Sequence, residues 1–332
     1  MSWLVRLFAL AFALLVVLLS ALAVAGVLGF AVPAFDLVNN FQALLFPALL
    51  AAFVVVVWRS PRQWWGKLLT AIVATGFLSS ATIAVPELVG GLMRHSAAPS
   101  DDRPVYRLMT HNLFGLNADM DEIAAAVFAQ DPDIVTFQEF FRDQGATLRP
   151  LLAERYPHSV RCISGDRAFL AIFAKEPFAL QEEGACQAGP RQERTGRLLA
   201  RFAGKDGRGF SVMNTHLDWP APLGRKREQF NLLAQAVRQV EGPMLLAGDF
   251  NATPWSYAFR DFVGAAELTR HTRNLPTFPA LIYVLDWSDT LPFLPIDHVL
   301  SRNGVAVHRV ARGEAASSDH YAVVVDFSIT TP

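Results

Sequence analysis

The sequence predicts an α/β domain of two packed β-sheets with helices outside, preceded by three membrane-spanning α-helices. Two observations carry that expectation. Apolar residues make up 52% of the 332-residue chain and are concentrated in its first hundred positions. From Val105 onward, short apolar runs alternate with amphipathic stretches, and some of the runs follow one another with no helix between them.

Taken in order, the first hundred residues contain three uncharged segments near the length of about 20 residues that a helix needs to cross a bilayer. Leu7 to Phe35, Leu37 to Trp58 and Leu68 to Pro86 hold no Asp, Glu, Lys or Arg. The expected spans are 7–30, 41–58 and 68–86, within a membrane domain covering 1–94. A cleaved signal peptide is the competing reading of the first segment, since Arg6 precedes it. Its length and the two further spans speak against that. Basic residues in short loops mark the cytoplasmic side. Arg6 precedes span one, and Arg59, Arg62 and Lys67 lie between spans two and three, whereas the loop after span one holds only Asp36. The expectation is an integral protein of the cytoplasmic (inner) membrane. Its N-terminus is cytoplasmic, and everything after the third span is extracytoplasmic (periplasmic). Trp58, Trp64 and Trp65 sit where an interfacial aromatic belt belongs. A polar, Pro-containing stretch at 95–104 reads as a linker.

The remainder, 105–330, reads as one domain. Strands are expected at Tyr106–Asn112, Ile134–Gln138, Phe169–Phe173, Leu198–Phe202, Phe210–His216, Met244–Asp249, His298–Ser301, Val305–Val310 and Tyr321–Phe327. Helices are expected at Met120–Gln130, Ala146–Arg155, Arg225–Val240 and Ser256–Val263. In the third of these, Phe230, Leu233, Ala234 and Val237 recur at helical spacing and define one buried face. Residues 1–100 contain five basic and two acidic residues, which leaves 24 of the 29 basic and 28 of the 30 acidic ones to the rest of the chain. A domain charge of about −4 gives no support to tight nonspecific nucleic-acid binding, which relies on phosphate neutralisation. There is no internal repeat, no Gly-rich nucleotide loop, no GxSxG elbow and no Cys/His spacing of a zinc site.

Groups able to hold a metal or move a proton fall at the strand ends. His111-Asn112, Gln138-Glu139, Asn214-Thr215-His216, Asp249 with Asn251, Asp297-His298 and Asp319-His320 each begin or finish an apolar run. Singly, each has a bland reading as a turn residue, a helix cap or a solvated side chain. Jointly, carboxylates and amides at strand ends suit a hard cation with oxygen ligands, such as Mg²⁺.

The ordered set THN, DIVTFQE, NTHLD, GDFNATP, IDHVL and SSDHY resembles the motif series of the endonuclease/exonuclease/phosphatase superfamily, from about Arg107 to Phe327. The resemblance implies a four-layered α-β-β-α sandwich and a metal-dependent phosphoester hydrolase. It further implies Glu139 as principal Mg²⁺ ligand (Mn²⁺ as substitute), assisted by Asn112 and Asp319. His320 would face the scissile phosphate and Asp297 would fix its imidazole. Asp249 would orient and deprotonate the attacking water, and Asn251 and His216 would donate hydrogen bonds to phosphoryl oxygens. The expected substrate is a phosphoester, either nucleic acid or a lipid or inositol phosphate. The leading expectation is a phosphodiesterase of the nuclease kind. The alternatives are a phospholipid- or sphingomyelin-type phosphodiesterase or an inositol-phosphate phosphatase and, in another class, a catalytically inactive membrane-bound scaffold.

Three local features stay open at this stage. Arg225, Lys226 and Arg227 form either a solvated helix face or a phosphate-contacting edge. Trp219 and Trp255 either line a pocket or pack under a loop. The two cysteines, Cys162 and Cys186, both fall in the part placed outside the membrane, where an even count reads as a disulfide or as two separate thiols.

Overall fold

The structure, a computed structural model, describes residues 3–59, 63–93, 103–162, 169–180, 186–188, 196–220, 225–282, 285 and 290–330. The expected linker at 95–104 lies almost entirely outside the described residues, as does Arg62 of the second loop. The chain forms two compact units. One comprises residues 1–93 together with 253–260, and the other comprises 94–252 together with 261–332. The stretch 253–260 is the departure from a simple division by sequence.

In the first unit, α1 (Trp3–Val27) is apolar all round and runs through a short 3₁₀ turn at Leu28–Phe30. Then follow α2 (Pro33–Asn39), α3 (Gln42–Arg59) and α4 (Trp64–Leu92). Among the described residues, three helices are therefore long and apolar enough to cross a membrane: Trp3–Phe30, Gln42–Arg59 and Trp64–Leu92. The third continues past Pro86, where the sequence suggested a stop; one proline withholds a single amide, and the helix passes through it. Small residues set the packing. Val16, Ser20, Ala23 and Gly26 form the buried face of α1, and a Cβ at Gly76 on α4 would come within 2.5 Å of Ser20. A polar chain runs through this apolar unit. Asn39 Nδ2 donates to Gly26 O and Asp36 Oδ1, Gln42 Nε2 donates to Asn39 Oδ1, and Ser80 Oγ donates to Gln42 Oε1.

The second unit is the predicted sandwich. Its elements begin with β1 (Tyr106–Asn112), α5 (Met120–Gln130), β2 (Ile134–Gln138), α6 (Arg142–Leu152), β3 (His158–Cys162) and β4 (Leu170–Ala174). Then come β5 (Phe178–Leu180), β6 (Cys186–Ala188), β7 (Gly196–Phe202), β8 (Phe210–His216), α7 (Arg225–Arg238) and β9 (Met244–Asp249). After α8 (Tyr257–Ala265), which begins in the first unit, come β10 (Thr269–Arg270), β11 (Asp297–Arg302), β12 (Val305–Arg312) and β13 (Val323–Ile329). One sheet has the order β12-β13-β1-β2-β4-β3 and the other β10-β11-β9-β8-β7-β5, with β6 also paired to β7. Leu108, Ile172, Leu198, Val212, Leu245 and Val325 belong to the core between the sheets. On the outer face of the first sheet, Ile123 and Val127 of α5 and Leu148 and Leu152 of α6 pack with Val135 and Phe173. The central strands are buried along their whole length, which is why they read as continuous apolar runs in the sequence.

Boundaries shift by a few residues for identifiable reasons. Helix α6 starts at Arg142, earlier than expected, because the Gln144 side chain reaches back to the Phe141 amide. Strand β13 starts at Val323 rather than Tyr321, because the Tyr321 and Ala322 amides donate to Thr277 O and Glu314 O instead of to the ladder.

The topology gathers the chemistry at one end. β1 and β2 are parallel and pair Asn112 with Gln138. β8 and β9 are parallel and pair His216 with Asp249. β11 runs antiparallel to β9, so its first residue, Asp297, lies opposite Asp249. β13 runs antiparallel to β1, so the Asp319-His320 turn that precedes it returns to the same end.

Candidate active site

Two turns aim the carboxylates inward. Glu139 follows β2 and Asn251 follows β9, and both adopt left-handed backbone angles, φ 55° and 46°. Asn tolerates that region, whereas Glu is uncommon there and holds it at a conformational cost typical of functional sites. Gly248 sits just before Asp249 with φ 142°, and a Cβ there would lie 2.0 Å from Thr215 O. Only glycine lets the main chains of β8 and β9 come this close.

His320 is buried, and its Nδ1–H donates to Asp297 Oδ2 at 2.8 Å. That same oxygen accepts from Thr277 Oγ1 at 2.5 Å. Nε2 of His320 lies 3.9 Å from Asp249 Oδ2 and 3.8 Å from Asp319 Oδ1. Burial opposes charge on this imidazole, but Asp297, then Asp249 and Asp319, overcome it and push the pKa up to about 10. Burial pushes the Asp249 carboxyl up to about 7, with His320 pulling the other way and Asp297 adding to the rise. Asp319 is pushed up to about 6, first by burial and then by repulsion from Glu139 and Asp297, against the pull of His320.

Asp249 is the hub. Its Oδ2 accepts from Asn112 Nδ2 and Asn251 Nδ2, both at 3.0 Å, and its Oδ1 accepts from the Asn251 amide at 2.8 Å. His216 Nε2 lies 3.5 Å from Asp249 Oδ2 and 3.8 Å from Glu139 Oε1. Glu139 Oε2 accepts from the Gly115 amide at 2.7 Å. All eight residues singled out from the sequence for chemistry thus meet in one cluster. Asp249, Asp297 and His320 have ligand-type atoms within 4.8 Å of one another. Asp297 and His320 spend theirs on each other in a hydrogen bond, and Asp249 faces the far ring nitrogen of His320 at 3.9 Å. Glu139 and Asp319 differ in being accessible, with side chains 24% and 21% exposed against 1% for Asp249. They are the carboxylates a solvated cation can reach.

Other strand-end residues have structural duties. Gln138 Nε2 donates to Asn214 Oδ1 and Thr110 Oγ1, joining the two sheets inside the core. His111 is buried, with its pKa pushed down to about 4 by burial, and its Nε2–H donates to His320 O. His298 is buried, with Nε2–H on Ala252 O and Nδ1 accepting from Thr272. Lys226 is neither a solvated side chain nor a phosphate contact. It is buried, and its ammonium donates to Asp218 O and Phe250 O, tying the turns after β8 and β9 together. Trp255 is buried, whereas Trp219 is 47% exposed and meets Phe278 edge-on, and the Phe278 ring centroid is 4.9 Å from that of His320. Sequence reasoning missed Thr277 and Ser318. Ser318 Oγ donates to Asn112 O and accepts from the His320 amide, holding the SSDH turn onto β1. Its place in SSDHY was a usable signal; Thr277, in a loop without a motif, offered none.

A model of the Endonuclease/Exonuclease/phosphatase family matches residues 109–320. A UPF0294 protein of Vibrio vulnificus (strain YJ016) is 26% identical over 135 residues, which is 40% of this chain and 45% of that protein, so the match spans less than half of the relative's length. Among solved structures, the mannosyl-6-phosphatase Bt3783 of Bacteroides thetaiotaomicron VPI-5482 superposes with a TM-score of 0.54 at 20% identity, covering 67% of this chain and 99% of that one. D. rerio TDP2 in complex with a single-strand DNA product does so with a TM-score of 0.54 at 16% identity, covering 67% and 98%. At these identities the likeness is one of fold.

Proposed function

We propose, because the chain belongs to the endonuclease/exonuclease/phosphatase family, that it is a membrane-anchored, Mg²⁺-dependent phosphoester hydrolase acting on the extracytoplasmic side, with a phosphodiester as its substrate. The observation that carries this reading is the buried Asp297–His320 pair, 2.8 Å apart, facing Asp249 in a cluster built from both sheets. Here Glu139, Asp249, Asp297 and Asp319 converge with two histidines, and burial first, then repulsion from Glu139 and Asp297, raises the Asp319 pKa.

That convergence is also the test of metal fit. Carboxylates held together against their own repulsion suit a divalent cation with oxygen ligands. Glu139 and Asp319 would hold it, with the amide oxygen of Asn112, which accepts one bond from the Phe114 amide and retains a second lone pair. When bound, the cation supplies positive charge to the phosphoryl oxygens and the leaving oxygen. The chain's own residues do the rest. Asp249, fixed by Asn112 and Asn251, accepts the proton of the attacking water as its oxygen bonds to phosphorus and the ester P–O bond breaks. His320, with Nδ1 held by Asp297, presents Nε2–H to a phosphoryl oxygen. His216 donates on the Glu139 side. Such chemistry is mostly positioning and charge stabilisation, which a rigid, buried hydrogen-bond array provides.

Orientation rests on Arg6 near the start of the first helix and on Arg59, Arg62 and Lys67 around the connection between the second and third. A phospholipid phosphodiesterase is a second reading, favoured by the three apolar helices that suit a bilayer. The test is to assay the full-length protein in detergent with Mg²⁺ against DNA, RNA, sphingomyelin and inositol phosphates. Hydrolysis of one class names the substrate. Inertness towards all of them with both Mg²⁺ and Mn²⁺ would sink the proposal.

A further inference from the structure

Asp36 is the single acidic residue between the first and third apolar helices, yet it is buried. Its carboxylate makes four hydrogen bonds. Oδ1 accepts from the Tyr257 amide at 2.8 Å and from Asn39 Nδ2 at 2.9 Å, while Oδ2 accepts from Ser256 Oγ at 2.9 Å and the Ala258 amide at 3.0 Å. Tyr257 and Ala258 open α8, so their amides are among those a helix leaves without partners in its own first turn. A carboxylate is the natural acceptor there, by hydrogen bonding and by charge. The cap is supplied from 220 residues away, within the first unit. Asn40 adds a second anchor, its Oδ1 accepting from the Thr253 amide at 3.1 Å and from Thr253 Oγ1 at 3.3 Å.

The capped stretch is the continuation of the GDFN turn. Thr253 follows Asn251 by two residues, and Asn251 in its left-handed conformation donates both its amide and its Nδ2 to Asp249. The turn from Asp249 to Thr253 is therefore pinned upstream by β9 and downstream by Asn40 and Asp36. Asp36 is itself braced by Asn39, which is held through Gln42 to Ser80. The acceptors of Asp36, Asn39 and Gln42 in that chain are each satisfied by a hydrogen bond, the arrangement that rigidifies a buried polar network.

We infer that Asp36, with Asn40, is a positioning residue for the catalytic turn, so that the apolar N-terminal segment is part of the enzyme and not only its anchor. This rests on the reading of Asp249 and Asn251 as the groups that act on water and phosphate. The test uses the full-length protein in lipid nanodiscs with Mg²⁺ and bis(p-nitrophenyl) phosphate. Asp36→Ala should lower kcat by about 10- to 100-fold, the scale of a small misplacement of catalytic groups, with KM within about twofold of the parent. Asp36→Asn, which keeps one acceptor oxygen, should recover part of the loss. Hydrogen exchange should quicken across 249–258 and stay unchanged in β1 and β2. If Asp36→Ala does not fold, Asn40→Ala, which removes one anchor, carries the same expectation with a smaller loss. Activity within twofold of the parent in both variants would overturn the inference, as would faster exchange confined to 256–258. A parent protein inert on the probe would count against the hydrolase reading instead, and the exchange pattern would still decide whether Asp36 holds the turn.

Discussion

The two ends of the sandwich treat charge in opposite ways. At the end where β1 and β2 begin, three carboxylates each meet a cation. Asp326 takes Arg107 at 2.6 Å, Asp133 takes Lys205 at 2.8 Å, and Asp131 takes Lys175 at 2.5 Å and Arg155 at 2.8 Å. At the other end of the same strands, four carboxylates converge on two histidines, mostly out of water. Matched pairs near the surface are inexpensive and modestly stabilising. A gathering of buried like charges is costly to stability and persists where chemistry needs it. The contrast separates a structural end from a working end without reference to any relative.

The largest expected effect breaks the comparison at the working end. Removal of divalent cations with EDTA should take phosphoester hydrolysis by the full-length protein to background, and Mg²⁺ or Mn²⁺ should restore it. Full activity after exhaustive chelation would mean that the carboxylates gather for another reason. Next in size, His320→Ala and Asp249→Asn should each lower kcat by about two to four orders of magnitude, the usual scale for lost proton-transfer groups. His298→Ala should cost far less kcat than either and lower stability, because His298 spends both ring nitrogens on Ala252 O and Thr272 and reaches the GDFN turn only through that carbonyl. Equal losses at His298 and His320 would show that the wrong histidine has been assigned.

A third test concerns how the working end is held. Cys162 is buried at the end of β3, opposite Leu170, and Cys186 on β6 lies opposite Leu198; both partners belong to the core between the sheets. The side chain of Cys186 is outside the described residues. We propose a disulfide between them that ties the sheets near the catalytic end. Reduction should then lower stability by about 3 kcal/mol in the chain-entropy model. Two thiols that label freely in native protein prepared without reductant would rule the bridge out. The smallest effect belongs to the matched end. Arg107→Ala should leave kcat unchanged and lower stability by no more than about 1 kcal/mol, since its side chain is one-third exposed and screened, and the loss should shrink in high salt. A tenfold drop in kcat from this change would erase the distinction between the ends.

Much of this was legible in the sequence, because strand ends and motif residues coincide. The strands Ile134–Gln138 and Met244–Asp249 are buried along their whole length since both faces are covered, and Glu139, just after the first, and Asp249, ending the second, are the residues delivered to the site. The pairing of Asp297 with His320 came from motif resemblance, and the register of β11 and β13 supplies its physical basis. What stayed hidden depends on partners far away in the chain. Asp36 looked like a lone loop charge because the amides it caps lie 220 residues downstream. Lys226 read as either a solvated side chain or a phosphate contact because it stands in a basic run at a helix start, whereas the two carbonyls that bury it belong to separate turns. Thr277 carries no pattern at all, only a hydroxyl at the right height beneath Asp297.

Gly248 has a consequence for what the site can become. Thr215 O would lie 2.0 Å from any side chain begun there, so β8 and β9 touch through their main chains beside His216 and Asp249. The gap between those two residues is a fixed gauge, cut by peptide geometry and out of reach of side-chain exchange. A change of substrate preference would then fall to rim positions such as half-exposed Trp219, while the spacing of His216 and Asp249, with Nε2 and Oδ2 3.5 Å apart, stays as the main chain sets it.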